Sequence, residues 1–342
     1  MQPAREPEGA DARRVVMIAN GTADQTAGRL LARLAAGVRR SGHIFLHFRD
    51  LPAGRWAKMR YLLTPDRRLI GGLARCDTVV VHTAAMLSLP AMLTARALRK
   101  RVVVFFWDDY TARAGGAGRV AGTLERFALK LAHAVAVPSG DYLRAPPVRK
   151  AAAVSVVPLW PSHENMPPHA TLPRQGARMR IVFAGQINAL RDIPGAVAEL
   201  APRLPEASEL HVFSAGRPDI GAGLPRNFRI IGHRRVAQDS LPRRLSAFDF
   251  GLVSLDRGFR GPAFPSKILT YLAAGLPVIY RGPQLDAVVE LLERRQLGVV
   301  LRAGETSDLT SRLTALAAGF ASARAAHFRR SGPDWNAIAD LF

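Results

Sequence analysis

Short apolar runs of strand length recur along this chain, separated by segments whose apolar residues repeat at helical spacing. Residues 13–20 open with one such run, Val15-Val16-Met17-Ile18. A polar loop with Gly21, Thr22 and Asp24 follows, then residues 29–40 with Leu30, Leu31, Leu34 and Val38 on one helical face. Ser41-Gly42 ends that helix, and residues 43–48 form a second strand. Further strands are read at 76–82, 101–107, 133–137 and 153–160, with helices over 84–99 and 120–132. Their apolar positions are consecutive rather than alternating, as in Val102-Val103-Val104-Phe105-Phe106. Such strands are buried on both faces, which is the condition of a parallel sheet covered by helices. The β–loop–α–β order is the opening of a doubly wound α/β domain, and its ligands bind at the carboxyl ends of the strands. That places Gly21, Thr22 and Asp24 on a candidate binding edge.

The rhythm then breaks and restarts. Residues 161–178 are polar and carry Pro161, Pro167, Pro168 and Pro173, the composition of a linker. Strands return at 179–187, 209–214, 228–234 and 250–255, then from Val278-Ile279, and at 298–301. Helices are read at 241–248, 285–294 and 307–318, and residues 334–342 form an amphipathic tail. Within this second half, one stretch carries more signals than any other: Pro265-Ser266-Lys267-Ile268-Leu269-Thr270-Tyr271-Leu272-Ala273-Ala274-Gly275-Leu276-Pro277-Val278-Ile279. Pro265 and Ser266 start a helix, and Ile268, Leu269, Leu272 and Ala273 repeat at its period. Gly275 is placed for a left-handed cap, and Pro277 stops the helix before the next strand. A loop–helix mouth collects backbone N–H groups and the positive end of the helix dipole. Lys267 adds a full charge there, so a diphosphate is the fitting ligand.

Length and composition narrow the class. A chain of 342 residues, 48% hydrophobic, suits two domains. No apolar run approaches the roughly 18 residues of a membrane span. The first residues lack an apolar core, so 1–12 read as a flexible tail and not as a signal peptide. Cys76 is the single cysteine, which excludes internal disulfides and cysteine-based zinc clusters and fits a reducing, cytoplasmic compartment. The formal charge is +21, and residues up to Arg174 hold 26 basic against 12 acidic side chains, a surplus of +14. A basic first half is drawn to anionic surfaces. The arginines are dispersed and not interleaved with stacking aromatics, and no recognition motif accompanies them, so nucleic acid is not the expected partner. Residues 52–72 interleave Trp56, Met59, Leu62 and Leu63 with Arg55, Lys58, Arg60, Arg67 and Arg68. This segment reads either as an interfacial membrane helix or as a surface helix that buries Trp56 and Leu63 in its own domain.

The strand at 101–107 ends in Asp108-Asp109 at the carboxyl edge. Side chains alternate along an extended chain, so only one of the two faces a given side. A carboxylate there is a candidate general base for an acceptor hydroxyl, with Asp109 ahead of Asp108. The competing reading is a solvated loop or an N-cap for the next helix.

The stretch from Pro265 to Ile279 resembles the donor-site helix of GT-B glycosyltransferases (families 4 and 1), which cradles a sugar nucleotide. The strands ending in Pro138-Ser139 and in Pro158 are similar to elements of the same fold. The resemblance implies two Rossmann-like domains facing a cleft: 13–164 for the acceptor, 165–178 as linker, 179–330 for the nucleotide sugar, and 331–342 as a helix crossing back to the first domain. It implies donor contacts at Gly185 and Gln186 in the turn after the strand at 179–187, at Arg191, at Gly232 and His233 near the nucleobase, and at Phe264, Pro265, Ser266, Lys267 and Thr270. Gly21, Thr22 and Asp24 would lie on the acceptor side. No cofactor is implied beyond a UDP- or GDP-sugar substrate, and no metal, because the helix end and basic side chains stabilise the leaving diphosphate in this fold. The acceptor implied is lipid-linked or a polysaccharide, with possible peripheral contact at the inner face of the cytoplasmic membrane.

The chain departs from the family where retaining members carry two glutamates, for Pro262 and Thr270 stand there. A lysine that often follows the Gly185 turn is also absent, leaving Arg191 as the nearby base. These departures shift weight towards an inverting reaction and leave open a non-catalytic sugar-nucleotide-binding subunit. The Asp at a strand end together with Lys267 also resembles bacterial exopolysaccharide glucuronosyltransferases, in which the Asp is the base and the Lys holds the diphosphate.

Overall fold

The computed structural model describes residues 13–20, 31–32, 34–37, 42–49, 67–82, 84–107, 116–159, 178–214, 228–234, 236, 240–330, 338 and 340–341. The chain divides into two compact units. Unit 1 comprises Met1–Pro158, Gly261–Ala263 and Pro333–Phe342; unit 2 comprises Leu159–Arg260 and Phe264–Gly332. Each is built on a six-stranded, wholly parallel sheet.

Unit 1 contains β1 (Arg13–Asn20), β2 (Gly42–Arg49), β3 (Thr78–His82), β4 (Arg101–Phe105), β5 (Ala134–Val137) and β6 (Val154–Val156) in the order β2-β1-β3-β4-β5-β6. Consecutive β-branched residues in β3 and β4 are buried, as strands covered on both faces require. Helices α1 (Arg67–Arg75), α2 (Leu89–Ala97) and α3 (Gly116–Leu131) lie between the strands in sequence. The helix expected over 84–99 begins instead as a 3₁₀ turn at Ala85–Ser88, after Ala84 in the left-handed region at φ 45°. Glu125 of α3 explains the tighter start. Its carboxylate is fully buried and accepts from the backbone N–H groups of Ala85 (3.1 Å) and Met86 (2.9 Å), an N-cap supplied by a distant helix.

Unit 2 contains β7 (Arg180–Ala184), β8 (Ser208–Phe213), β9 (Phe228–His233), β10 (Phe250–Ser254), β11 (Val278–Arg281) and β12 (Gly298–Leu301), in the order β12-β11-β10-β7-β8-β9. Its helices are α4 (Ile193–Leu200), α5 (Leu241–Leu245), α6 (Lys267–Ala273), α7 (Asp286–Val289, continued by a π turn over Glu290–Arg294) and α8 (Leu309–Arg330). Its core joins Ile181, Leu210, Phe250 and Ile279 from the sheet to Val197 and Leu313 from the helices. The last helix runs twelve residues beyond the expected end at Ala318. Phe320 is fully buried on that extension, and Arg324 donates to the Leu272 and Ala273 carbonyls (2.7 and 3.0 Å), so tertiary contacts sustain what periodicity had ended.

At the C-terminus, Ile338 and Leu341 are buried, and Arg101 Nε donates to the Leu341 carbonyl at 3.0 Å. Among the described residues, no helix is long and apolar enough to cross a membrane. The segments 21–28, 50–66, 108–115 and 160–177, and with them Gly21, Thr22, Asp24, Trp56, Asp108 and Asp109, lie outside the described residues.

His82 closes β3 with no exposed surface, its ring edge-on to Trp107 at 4.2 Å. Burial pushes its imidazole down to about 3 from an ordinary 6.5. The unfolded chain therefore binds a proton that the folded chain refuses between those two values, and stability falls as pH falls through that window. From pH 7 to pH 5 this one residue should cost about 2 kcal/mol. Urea unfolding at both pH values should show that difference shrinking by about this amount in His82→Phe, which keeps a ring against Trp107. An unaltered pH dependence in the variant would refute the assignment.

Candidate functional site

In unit 2 the strand order reverses between β7 and β10: β8 and β9 extend from β7 to one side, β11 and β12 from β10 to the other. Such a reversal sends the following loops in opposite directions and leaves a crevice at the carboxyl ends. The reversal has a visible cost in pairing. β10 pairs with β7 only at Phe250↔Ile181 and Gly251↔Val182, so the Ala184 N–H lacks a ladder partner on that side. The Tyr271 hydroxyl, reaching in from α6, accepts it at 2.8 Å.

Tyr271 is fully buried, and burial drives its phenol well above the ordinary value, against the opposing pull of the Ala184 bond and the nearby Arg191 charge. Its ring occupies the space over Gly251, where an added Cβ would lie 2.3 Å from ring carbon. A residue other than glycine at 251 would push α6 off the sheet. The far end of α6 is fixed as firmly. Gly275 takes φ 84°, its N–H bonds the Leu272 carbonyl (3.1 Å), and the Leu276 N–H bonds that of Tyr271 (2.9 Å), a complete Schellman cap. Arg324 covers the next carbonyls with its guanidinium.

The consequence is the position of Lys267, the first residue of α6. A Cβ built on Gly185 would lie 3.9 Å from Lys267 Cε, so the lysine side chain reaches the turn after β7. Arg191 ends the 3₁₀ turn Ala189–Arg191 of the same loop, close enough for its charge to act on the Tyr271 phenol. Gly185 and Lys267 thus meet at the topological reversal, and Arg191 lies six residues further along the loop that begins at Gly185. Gln186 is exposed beside them. Phe264 and Ser266 are half-buried and Pro265 is buried in the turn that precedes α6. Thr270 is also half-buried, and its hydroxyl donates to the Ser266 carbonyl at 3.5 Å.

The loop carrying Arg191 is held from below by charges that sequence patterns do not announce. Asp192 adopts φ 34° and accepts from the Gly195 N–H (3.1 Å) as the cap of α4. Arg281, at the end of β11 and 6% exposed, binds the Asp192 carboxylate and Glu199 Oε1 (2.9 Å). Arg257 binds the same Glu199 (3.0 Å) and the Leu301 carbonyl (3.0 Å). Burial opposes ionisation of Glu199, but these two arginines outweigh it and hold the carboxyl below its usual range. Ser254 Oγ donates to the Asp192 carbonyl (3.2 Å), and the Asp256 N–H donates to that of Leu190 (2.9 Å). Sequence reading missed Asp192, Glu199, Arg257 and Arg281. The one signal available was an arginine closing the apolar run Val278-Ile279-Tyr280.

Gly232 and His233 end β9, next to Phe213 at the end of β8. The His233 ring stacks on Phe213 at 4.3 Å, and its Nε2 shares a proton with His211 Nδ1 at 2.8 Å. Burial, then the charges of His211 and Arg244, push the His233 imidazole down, so the pair is held short of double protonation. The Gly185 N–H donates to the Phe213 carbonyl (3.0 Å), which ties the ends of β7 and β8 together. Among the described residues, no group of three His, Cys, Asp or Glu is arranged to hold a metal ion.

In unit 1, the chain leaving β4 towards Asp108 and Asp109 is held tightly up to Trp107. The Phe106 N–H donates to the Ala136 carbonyl (2.8 Å), and the Tyr142 hydroxyl donates to the Trp107 carbonyl (2.6 Å). At the reversal of this sheet, between β1 and β3, buried Asn20 donates to Ser88 Oγ (3.0 Å) and the Ala84 carbonyl (3.3 Å).

No family model matches the sequence, and no curated protein matches it. Likeness to known proteins is a likeness of structure. An α-glucosyltransferase in complex with UDP and a 13-mer DNA is 10% identical with a TM-score of 0.61, over 93% of this chain and 94% of that one. The lipopolysaccharide outer core galactosyltransferase WaaB is 12% identical with a TM-score of 0.58, over 96% and 94%. A structure titled trehalose-6-phosphate from E. coli, bound with UDP-2-fluoro glucose, is 13% identical with a TM-score of 0.58, over 96% and 98%. TarM is matched over 53% of its own length, at 13% identity and a TM-score of 0.57 over 77% of this chain. The chain has the GT-B fold, two α/β units each on its own parallel sheet.

Tyr271→Phe isolates the phenol that fastens α6 to β7. It leaves the Ala184 N–H buried without its acceptor, which should cost about 1–3 kcal/mol in urea unfolding. A change well below this range would mean that the contact at 2.8 Å is not what holds the helix.

Proposed function

We propose that this protein is a glycosyltransferase that moves a sugar from a UDP- or GDP-sugar to a lipid-linked or polysaccharide acceptor. The observation that carries the reading is the meeting of Lys267 with the Gly185 turn at the strand-order reversal of unit 2, in the loop that also bears Arg191. A lysine beside a glycine turn, with an arginine further along the same loop, suits the diphosphate of a sugar nucleotide, and the turn's close backbone approach suits its oxygens. The named likenesses support the same class, for two of those proteins are described with UDP or a UDP-sugar and two as glycosyltransferases.

In this reading Gly185, Gln186, Phe264, Pro265 and Ser266 line the diphosphate and sugar, with Thr270 at the ribose. The ends of β8 and β9, with Gly232 and His233, take the nucleobase. Asp109, or Asp108 in its place, removes the proton from the acceptor hydroxyl. The freed oxygen attacks the anomeric carbon from the face opposite the diphosphate, and the carbon–oxygen bond to the diphosphate breaks with its electron pair leaving on the nucleoside diphosphate. Lys267 and Arg191 neutralise that charge, so the proposed reaction is metal-independent. Synthesis of exopolysaccharide or cell-envelope glycan at the inner face of the cytoplasmic membrane is the setting that suits such an acceptor and the basic first half.

Calorimetry with UDP and GDP tests the donor site. Lys267→Ala should keep the fold and weaken binding of the preferred nucleotide by about 2 kcal/mol, the scale of a charge-assisted contact. Unchanged affinity for both nucleotides removes Lys267 from the site. A transfer and donor-hydrolysis assay tests the base. Asp109→Asn should lose about 10²–10⁴-fold in turnover with nucleotide affinity intact, and Asp108→Asn should be far milder. Near-normal transfer by both variants would overturn the base assignment, and a wild type with neither transfer nor hydrolysis would point to a binding subunit.

A further inference from the structure

Helix α3 (Gly116–Leu131) shows two faces of opposite character. Its inner face is pinned, for Gly122, Ala128 and Leu129 are buried and Glu125 is tied to the backbone of Ala85 and Met86. Its outer face cannot therefore rotate inward. On that outer face Val120, Leu124 and Phe127 follow one another at helical spacing and are 63%, 40% and 46% exposed. A surface helix with a packed inner face has no folding reason to carry a second apolar stripe.

Beside this stripe runs a cationic one. Arg126 and Lys130 of α3, with Lys150 from the turn Val148–Lys150, line a hollow of about 270 Å³ that Phe127, Thr123 and Pro147 complete. Among the described residues, none of these three cations has an acidic partner; the contact Arg126 makes is to the Thr123 hydroxyl (2.9 Å). Five arginines of unit 2 differ. There Arg257, Arg281, Arg294, Arg302 and Arg312 are each paired with a glutamate. Among the described residues, Arg126, Lys130 and Lys150 thus stand without an acidic counter-ion, next to the exposed side chains of Val120, Leu124 and Phe127.

We propose that this face of α3 docks on an anionic lipid bilayer. Val120, Leu124 and Phe127 enter the interface between headgroups and acyl chains, and Arg126, Lys130 and Lys150 meet lipid phosphates. Apolar burial supplies one part of the binding and charge the other, which is the division an interfacial helix uses. The surface belongs to described residues and is separate from the segment 52–72 that the sequence pattern favours. It stands apart from the donor reading, since binding to vesicles requires no sugar transfer.

Flotation of the full chain with vesicles of equimolar phosphatidylglycerol and phosphatidylcholine, against pure phosphatidylcholine, tests this directly. The wild type should float with the anionic vesicles. Arg126→Gln/Lys130→Gln/Lys150→Gln should lower that partition on the order of a hundredfold. Val120→Ser/Leu124→Ser/Phe127→Ser should lower it at least about tenfold, including in salt that screens the charges. A control that removes equal charge from unit 2, Arg243→Gln/Arg294→Gln/Arg295→Gln, should retain most binding. Several results would overturn the proposal: no flotation of the wild type, α3 variants that float normally, or a control that loses as much as the α3 glutamine variant. So would sedimentation showing a dimer that the serine variant dissociates while vesicle binding stays intact, for then a second copy covers the stripe. Should the serine variant lose native circular dichroism, comparison of the two glutamine variants decides alone.

Discussion

A single phenol organises the candidate donor site. At the reversal of strand order in unit 2, β7 and β10 part after two paired positions, and the sheet can no longer satisfy Ala184. Tyr271 does so from outside the sheet, with its ring pressed onto the bare backbone of Gly251. One side chain thus closes a hydrogen-bonding gap that the topology creates and fixes the distance of α6 from the sheet. Because Lys267 precedes Tyr271 by one helical turn, the same contact sets the lysine beside Gly185. The opening that a ligand needs and the contact that aims the cation into it arise from one constraint.

Rigid support surrounds this contact on every side that the described residues show. The Schellman cap at Gly275 and the guanidinium of Arg324 hold the far end of α6. Arg281, Glu199 and Arg257 hold the loop bearing Arg191 through Asp192. Arg281 is buried and its partners are partly removed from water, where a charge left unpaired would be costly, so the network behaves as a unit. A site for a doubly charged leaving group gains from such fixity, since its donors need no rearrangement as charge develops.

The two units treat charge differently. In unit 2, Arg257 and Arg281 are spent on internal pairs that shape the loop bearing Arg191. In unit 1, Arg126 and Lys130 of α3 have no acidic partner among the described residues and lie beside an exposed apolar stripe, while the helix's inner carboxylate, Glu125, works on the backbone. A basic total is compatible with many partners, but unpaired cations aligned with uncovered apolar side chains describe an interface.

The order of elements was legible in the sequence. Consecutive buried valines in β3 and β4, the loop–helix–strand from Pro265 to Ile279, and the left-handed cap at Gly275 each follow from local chemistry. Periodicity, backbone preference and turn chemistry act over a few residues, and there the chain states its own structure. The start of α2 and the end of α8 were not legible, because Glu125 and Arg324 decide them from far along the chain. The site divides in the same way. Lys267 and Gly185 announced themselves as a helix start and a glycine turn, whereas their meeting depends on a tyrosine bonding to a strand 87 residues away. Arg281 and Asp192 gave almost no signal, since ion pairs leave no period in a sequence and exist only once the sheet order is set. What the chain alone determined was which elements form and what chemistry each carries. Tertiary structure decided which of those chemistries meet, because strand order at a reversal is a property of the whole sheet.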